Sequence, residues 1–221
     1  MSWCYPLPVG LRDRKKEQTR RRIAEAAHRL FGERGFEKVT VAEVARAAEV
    51  AEATLFNYFP TKEDLFYSGL EAFGARLVDA VRDRPAGQPA LVAVRASLLG
   101  GGGQLGRIAE GDPAALEQAR TTARIISSSP ALRAREQQVL AGIAADLAAV
   151  LAPDPGDDDG FVARALANAL MGVHGTLVEY VRHRLLTDDH PETIVIDVQR
   201  VGGHAFDLLE HGLADFARTP G

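Results

Sequence analysis

The feature that most constrains the fold of this 221-residue chain is the spacing of its apolar residues. They recur every three or four positions over most of the length, which is typical of amphipathic helices, whereas strand-like alternation is scarce. Several segments begin with a capping residue followed by proline, as at Asp112-Pro113 and Ser129-Pro130. Such pairs favour helix starts, because proline in the first turn needs no N–H partner. The sequence therefore predicts an all-α fold of about nine helices.

Composition limits the class of protein. Apolar residues make up 46% of the chain, which is enough for a core of ordinary size. No run approaches the roughly 18 apolar residues of a membrane-spanning helix, and no apolar run follows the basic N-terminus as in a secretion signal. We therefore expect a soluble, cytoplasmic protein without membrane contacts. The single cysteine, Cys4, can form neither an intrachain disulfide nor a cysteine-based metal site.

Charge is distributed unevenly along the chain. Residues 1–62 contain 12 Lys and Arg against 8 Asp and Glu, whereas residues 63–221 contain 14 against 22. The basic residues are densest from Arg12 to Arg22. A basic head on an acidic body favours a polyanionic partner for the head alone, but a solvated helix start would show the same cluster. Charge alone leaves both interpretations open.

Short helical segments follow the first helix near the N-terminus. The apolar spacing predicts a first helix over 17–34, and Gly35 follows it where a helix C-terminus favours glycine. Thr40 and Glu43 form a capping box that opens a short second helix. A short third helix ends before Pro60, because the residue preceding a proline disfavours the helical conformation.

A long fourth helix then begins at Thr61, with Asp64 in its third position, and ends near residues 84–87. Two short helices joined by a tight turn are typical of a helix-turn-helix. The second helix of such a pair can enter a DNA major groove about 12 Å wide, while the first supports it. Ordinary helical domains also contain such pairs, so the spacing alone does not decide between the two.

The residues of this region resemble the TetR family of bacterial repressors over about fifty positions, from 16 to 66. The matching residues are Arg22-Ile23-Ala24, Ala26-Ala27, Leu30-Phe31, Gly35-Phe36, Thr40-Val41, Val44-Ala45, Ala47-Ala48, Val50, Thr54-Leu55-Phe56-Asn57-Tyr58-Phe59 and Lys62-Glu63-Asp64-Leu65. From Tyr67 onward, the chain resembles the family only in its helical character and length. The resemblance implies a DNA-binding transcriptional repressor that is not an enzyme.

The resemblance implies DNA contacts for six residues. They are Arg22, Thr40, Thr54, Asn57, Tyr58 and Lys62. Thr54 and Asn57, on the outer face of the recognition helix, can reach base edges or phosphates, and an asparagine can pair with adenine through two hydrogen bonds. The hydroxyls of Thr40 and Tyr58 and the ammonium of Lys62 suit phosphate oxygens.

Three residues depart from the family pattern inside the motif. Glu49 stands where the family usually has a turn glycine, Ala51 where it usually has a capping serine, and Phe56 where tyrosine is commoner. A missing cap costs about 0.5–2 kcal/mol of helix stability, so we expect a recognition helix that is mobile until DNA orders it. Leu55 and Phe59 are expected to pack in the core of the head.

The last two predicted helices carry more apolar and small residues than one buried face needs. From Phe161 to Leu186, a stripe of large apolar residues lies beside a narrow stripe of small ones. The narrow stripe consists of Ala165, Ala169, Gly172 and Thr176. The last helix repeats the arrangement from Ile194 to Phe216, with the small residues Gly202 and Gly212. The pattern predicts a four-helix bundle across the two-fold axis of a homodimer, and a single intramolecular core is the alternative.

Between the head and these helices, the family resemblance implies a small-molecule cavity, roughly from Leu70 to Arg182. The candidate ligand-binding groups are the polar residues on apolar stretches, namely Arg120, Arg124, Asn168, His174 and Tyr180. Each of them could instead be a satisfied buried group or an interface residue. The histidines of the last third show no metal-ligand spacing on one helix, so we expect no metal and no other cofactor.

These observations divide the chain into a basic, mobile arm (1–15), a helix-turn-helix DNA-binding domain (16–62), a connecting helix (63–84) and a ligand-binding and dimerisation domain (85–221). The favoured hypothesis is a repressor that binds a pseudo-palindromic double-stranded DNA operator as a homodimer and is released by an unknown small-molecule effector. The alternative is a helical protein-interaction module that has kept the head without ligand control. Enzyme motifs such as G-x-S-x-G and H-E-x-x-H are absent from the sequence, so no catalytic residue is expected.

Overall fold

A computed structural model of the chain describes residues 11–100, 102–151, 160–187 and 191–212. Over these ranges the chain forms ten α-helices and no strand, which confirms the predicted all-α fold. The helices are α1 (Leu11–Arg34), α2 (Val41–Ala47), α3 (Glu52–Tyr58), α4 (Lys62–Arg82), α5 (Ala90–Leu99), α6 (Gly103–Ala109), α7 (Pro113–Ser128), α8 (Pro130–Val150), α9 (Phe161–Thr187) and α10 (Pro191–His211). The helix beyond the expected nine is α6, whose Ile108 is buried with Ala115 and Ala119 of α7.

Helix α1 begins at Leu11, six residues before the start predicted at Glu17. The intervening residues are mostly Arg, Lys and Asp, and none of them is a glycine or proline that would stop a helix. The basic segment that precedes residue 22 is therefore helical. Of the arm predicted over residues 1–15, residues 11–15 belong to α1, and residues 1–10 lie outside the described ranges.

The capping residues begin their helices as predicted. The Asp112 carboxylate accepts hydrogen bonds from two backbone N–H groups of α7, and the Ser129 hydroxyl accepts one from α8. At the start of α4, the Asp64 N–H donates to the Thr61 hydroxyl (3.1 Å), and the Thr61 N–H donates to the Asp64 carboxylate (2.9 Å). These side chains pair backbone donors that have no partner inside the helix.

The chain divides into two compact units, Met1–Ser68 and Gly69–Gly221. In the first unit, α1, α2, α3 and the beginning of α4 enclose an apolar core. Its fully buried side chains include Ile23, Ala27, Phe31, Val44, Leu55, Phe59 and Leu65. His28 joins α1 to α4, because its Nε2–H donates to the carbonyls of Leu65 (3.2 Å) and Phe66 (3.1 Å).

In the second unit, α9 is the central helix, and α7, α8 and α10 pack against it. Its length and mean hydropathy of 1.3 over its most apolar window would allow α9 to cross a membrane. The core helix of a soluble protein has the same composition, and three neighbouring helices cover part of α9 here. These three helices leave part of the apolar surface of α9 exposed to solvent.

The apolar stripe predicted on α10 is partly buried within the chain. Val201, Ala205, Leu208 and Leu209 are half-buried, and Phe216 lies outside the described residues. Ile194, Val198 and Phe206 are buried in the second unit. Gly202 allows a close approach, because a Cβ there would lie 2.7 Å from the Leu99 side chain. On the outer face of α10, Ile196 is the exposed large apolar residue, at 68% of its area.

The narrow stripe of α9, by contrast, faces solvent. Ala165, Ala169, Gly172 and Thr176 are all exposed, and a Cβ on Gly172 would meet nothing within 4 Å. Beside them, Leu166 is 54% exposed. The surplus of apolar and small-residue surface within the described residues therefore lies chiefly on α9.

His174 of α9 stacks on Phe73 of α4, with ring centroids 5.2 Å apart. Its Nε2 atom is buried and forms no hydrogen bond with any described residue. Burial lowers the pKa of His174 to about 4 from its ordinary value of 6.5, because the imidazolium would lose its hydration.

We expect the unfolding free energy to fall as the pH drops from about 6.5 towards 4. In this window the unfolded chain binds a proton at His174 and the folded chain does not, so stability present above pH 6.5 is lost at up to about 1.4 kcal/mol per pH unit. Urea unfolding between pH 7.5 and 5.0, where most carboxylates stay ionised, measures the slope.

The variant His174→Phe replaces the imidazole with a phenyl ring, which can still stack on Phe73 but does not titrate. It should therefore flatten this pH dependence. His204→Phe is the matched control, because His204 is exposed on α10 and should leave the slope unchanged. Equal slopes for His174→Phe and the wild type would show that His174 titrates normally in the folded chain.

Candidate functional site

Helix α3 turns one face to the core of the first unit and the other to solvent. Leu55 and Phe59 are at most 1% exposed, which confirms their predicted packing role. On the outer face, Asn57 and Phe56 are exposed and Thr54 is half-buried. The buried face fixes the orientation of the helix, so the outer side chains are available to a partner.

Arg20 of α1 holds the C-terminal end of α3, and the sequence analysis did not single it out. Its Nη1 donates to the Tyr58 carbonyl (3.2 Å), and its guanidinium carbon lies 4.5 Å from the centre of the Phe59 ring. A cation at this place also complements the helix dipole. The signal for this role is the helical spacing, because Arg20 continues the face formed by Ile23 and Ala27.

Thr40, Glu43 and Arg34 form a hydrogen-bonded group at the start of α2. The Glu43 carboxylate accepts from the Thr40 N–H (2.8 Å) and hydroxyl (2.9 Å), and it pairs with Arg34 at 2.8 Å. The backbone hydrogen bond from Thr40, followed by the bond from Arg34, lowers the pKa of Glu43 to about 2. Because the Thr40 hydroxyl already donates to this carboxylate, a phosphate contact through the same proton requires the hydroxyl to rotate.

The other predicted DNA contacts are also accessible. Arg22 is exposed on α1, Tyr58 is half-buried, and the Lys62 ammonium lies 4.2 Å from the centre of the Phe36 ring. This cation–π contact holds the Lys62 side chain at the start of α4 while leaving it partly exposed. All six predicted contacts therefore lie in one compact unit, with side chains that solvent can reach.

Of the five predicted ligand-binding residues, Asn168 is the one that lines either of the two clefts described here. Asn168 lines a groove of about 340 Å³ between α8 and α9, which also includes Met171 and Gly172. His174 stacks on α4 as described above, and Arg120 is half-buried on α7.

The remaining two predicted ligand residues have structural partners. Arg124 is exposed on α7 and donates to Glu117 (2.6 Å). The Tyr180 hydroxyl accepts from Arg184 (2.6 Å), which also donates to Asp197 of α10 (2.7 Å). The bond from Arg184 lowers the pKa of Asp197. Tyr180 thus belongs to the contact between α9 and α10.

A second cleft, of about 180 Å³, opens between α6, α7, α8 and α9. Its apolar lining consists of Leu105, Ile108, Ala119, Ala123, Ile126, Val178, Val181 and Leu185. Its polar lining is Gln104, Thr122, Glu136 and Arg182. Nη2 of Arg182 donates to both carboxylate oxygens of Glu136, at 2.5 and 2.7 Å.

This ion pair was not predicted from the sequence, although the sequence contains a signal for it. Glu136 follows Leu132 by four positions on the buried face of α8, and Arg182 lies between Val178 and Leu185 on the packed face of α9. A charged residue at an apolar position of each of two helices indicates a buried partner.

Comparison with known proteins places the chain in a family. A profile described as bacterial regulatory proteins, tetR family, matches residues 23–68, and one described as the MftR C-terminal domain matches residues 88–214. The chain belongs to the TetR family. It is therefore a transcriptional regulator with a helix-turn-helix head, as the resemblance implied.

Relatives of this TetR-family regulator match much of its length. The transcriptional regulator TcmR of Streptomyces glaucescens is 31% identical over 159 residues, which cover 70% of this chain and 69% of TcmR. The putative mycofactocin biosynthesis regulator MftR of Mycobacterium tuberculosis is 26% identical over 201 residues, which cover 90% and 93%. The solved structure of the fatty acid degradation regulator FadR from Bacillus halodurans shares the fold, with a TM-score of 0.51, 24% identity, and coverage of 87% and 98%.

Two departures from the TetR pattern have visible consequences around α3. Glu49, in the turn between α2 and α3, has φ = 52°, which is the left-handed region that favours glycine. Ala51 precedes α3 in an extended conformation and provides no side-chain hydrogen bond to the helix. The turn is therefore strained and the recognition helix is uncapped.

We expect Glu49→Gly to raise the unfolding free energy of the first unit by about 1 kcal/mol. Glycine adopts the left-handed conformation without the steric cost of about 1–2 kcal/mol. Part of this gain is lost, because glycine also increases the conformational entropy of the unfolded chain. Scanning calorimetry measures the shift, and Glu49→Ala is the control, because alanine loses the charge and keeps the strain. A gain of the same size for both variants would assign the effect to charge.

Proposed function

We propose that this TetR-family regulator is a cytoplasmic repressor without catalytic activity, which binds a pseudo-palindromic operator as a homodimer and is released by a small-molecule effector. The observation that carries the proposal is the presentation of α3. Its inner face is fixed by Leu55, Phe59 and Arg20, and its outer face offers Thr54 and Asn57 to a partner. A helix held in this way can present its outer face to a major groove.

The exposed side chains of the head divide by chemistry into two groups. Asn57 and Thr54, on α3, have the donors and acceptors that distinguish base edges in the major groove. Arg22, Tyr58 and Lys62 offer cations and a hydroxyl, which contact phosphates and position the protein without reading sequence. The head therefore combines base-reading and phosphate-binding groups.

We expect Asn57→Ala to change the selected DNA sequence and to weaken binding to the preferred operator by about 1–3 kcal/mol. Lys62→Gln should instead weaken binding to all sequences alike and reduce the slope of log affinity against log salt concentration by about one. Arg133→Ala, an exposed cation of α8, is the control and should change neither property. Binding-site selection followed by salt titration measures both effects; an unaltered selected sequence for Asn57→Ala would remove its base-reading role.

The exposed stripe on α9 supports the dimer. Ala165, Ala169 and Gly172 allow another helix to approach closely, and the exposed Leu166 gives the surface apolar area to bury. Two copies of α9 can pack through these residues across a two-fold axis, which makes the same patch contact itself. Ile196 of α10 is a further exposed apolar residue for this interface.

Gly172→Arg tests the interface without disturbing the single chain, because a side chain at Gly172 meets nothing within the protomer. We expect it to raise the dimer dissociation constant by about 100-fold or more, since it buries an unpaired charge. Gly32→Arg is the matched control, as Gly32 is equally open and lies on α1. Analytical ultracentrifugation gives the constants, and equal dimer strength for the two variants would place the interface elsewhere.

Release of the operator requires that ligand binding changes the position of the head. We propose that α8 and α4 transmit this change. Helix α4 begins at Lys62 in the first unit and continues into the second. In the second unit, Arg135 of α8 pairs with Glu71 of α4 (3.3 Å), and Gly74 of α4 lies against Ile143 of α8. The two clefts described above are lined by α8 and not by α4, so a ligand bound in either of them would act on α4 through α8.

A further inference from the structure

The cleft between α6, α7, α8 and α9 contains a buried ion pair whose charges cancel. The Glu136 residue is 7% exposed and the Arg182 side chain 12%. A buried ion pair contributes little to stability compared with apolar residues of the same size, because both charges lose their hydration. The pair also lines the wall of the cleft, where the guanidinium can provide hydrogen-bond donors although the pair has no net charge.

Only one of the guanidinium nitrogens of Arg182 is used by Glu136. Nη2 makes both hydrogen bonds to the carboxylate, and Nε and Nη1 form none with the described residues. Thr122 also lines the cleft with a hydroxyl that bonds to no described residue, and Gln104 uses its amide N–H₂ on the Ala115 carbonyl (3.3 Å). The polar lining of the cleft thus consists of the Arg182–Glu136 pair, between α9 and α8, and of neutral groups on α6 and α7.

The rest of the cleft selects for an apolar body of limited size. Eight aliphatic side chains line it, and its volume is about 180 Å³. An apolar cavity of about 150 Å³ binds one benzene ring. The cleft therefore accommodates one ring with a small substituent, or the ring-bearing end of a larger molecule.

From these observations we propose that the cleft binds an uncharged molecule with a ring-sized apolar body and a carbonyl-type acceptor, which receives the Nε and Nη1 hydrogen bonds of Arg182. The inference rests on the proposed effector-controlled function and adds the chemical class of the effector. Glu136 sets this preference. A ligand carboxylate would place a second negative charge beside the carboxylate that already neutralises Arg182, and a cationic ligand would face the guanidinium itself.

Three probes of nearly the same shape separate the possibilities, namely benzamide, benzoate and benzamidinium, with charges of zero, minus one and plus one. Each is titrated into the full-length protein carrying isotope-labelled isoleucine methyl groups. Ile108 and Ile126 line the cleft and report binding, whereas the exposed Ile196 is the internal control. We expect benzamide to shift both cleft methyls and to bind at least about ten-fold more tightly than either ion.

The variant Glu136→Gln tests the cause of the preference. Glutamine keeps the size of the side chain but leaves the charge of Arg182 uncompensated, so benzoate should now bind at least about ten-fold more tightly than benzamide. Glu117→Gln is the matched control, because it removes an exposed carboxylate paired with Arg124 and should leave the wild-type order unchanged. If benzoate still binds more weakly than benzamide to folded Glu136→Gln, Glu136 does not set the charge preference and the proposal fails.

The comparison of probes on the wild type needs no variant, so the proposal stays testable if Glu136→Gln unfolds. Tighter binding of benzoate or benzamidinium to the wild type overturns the proposal, and so does the absence of methyl shifts with 10 mM benzamide. Operator binding by the same preparation, measured by gel shift, decides the repressor assignment separately. Operator binding together with a preference for benzoate would refute only the proposed ligand class. A preference for benzamide without operator binding would refute only the proposed repressor function.

Discussion

The packing of α3 against the first unit is the constraint on which the proposed DNA reading depends. This helix has seven residues and no side-chain cap, and isolated helices shorter than about 12 residues are marginal in water. Its conformation is therefore stabilised by the burial of Leu55 and Phe59 and by the hydrogen bond from Arg20 to the carbonyl of its last residue, Tyr58. Because these contacts leave the outer face untouched, substitutions there can alter recognition without altering the fold.

Helix α9 is the helix on which the proposed functions of the second unit depend, because it contributes to three surfaces. One face is buried against α7, α8 and α10, a second carries the exposed small residues around Gly172, and Arg182 projects into the cleft. The pair with Glu136 joins the cleft to α8, where the adjacent Arg135 contacts α4. The proposed ligand binding, the proposed dimer contact and the proposed coupling to the head therefore involve one continuous set of packed helices.

The sequence was sufficient for the fold class, most of the helices and the family, but not for partners between helices. Local signals such as the Thr61 and Asp64 box act within four residues and were predicted correctly. Periodicity shows which face of a helix is apolar without showing what covers it. The α10 stripe therefore did not reveal that Ile194 and Val198 pack within the chain. The partners Glu136 and Arg182 lie 46 positions apart on different helices, and only the tertiary packing brings them together.

The most direct test of the central claim, that two copies of the head read one symmetric site, is hydroxyl-radical footprinting with a stoichiometry measurement on the selected operator. Two bound chains should protect two half-sites related by a dyad, with centres one helical turn of about 10–10.5 base pairs apart or a multiple of it. Protection of a single half-site by one chain, or of a sequence without a dyad, would contradict the claim.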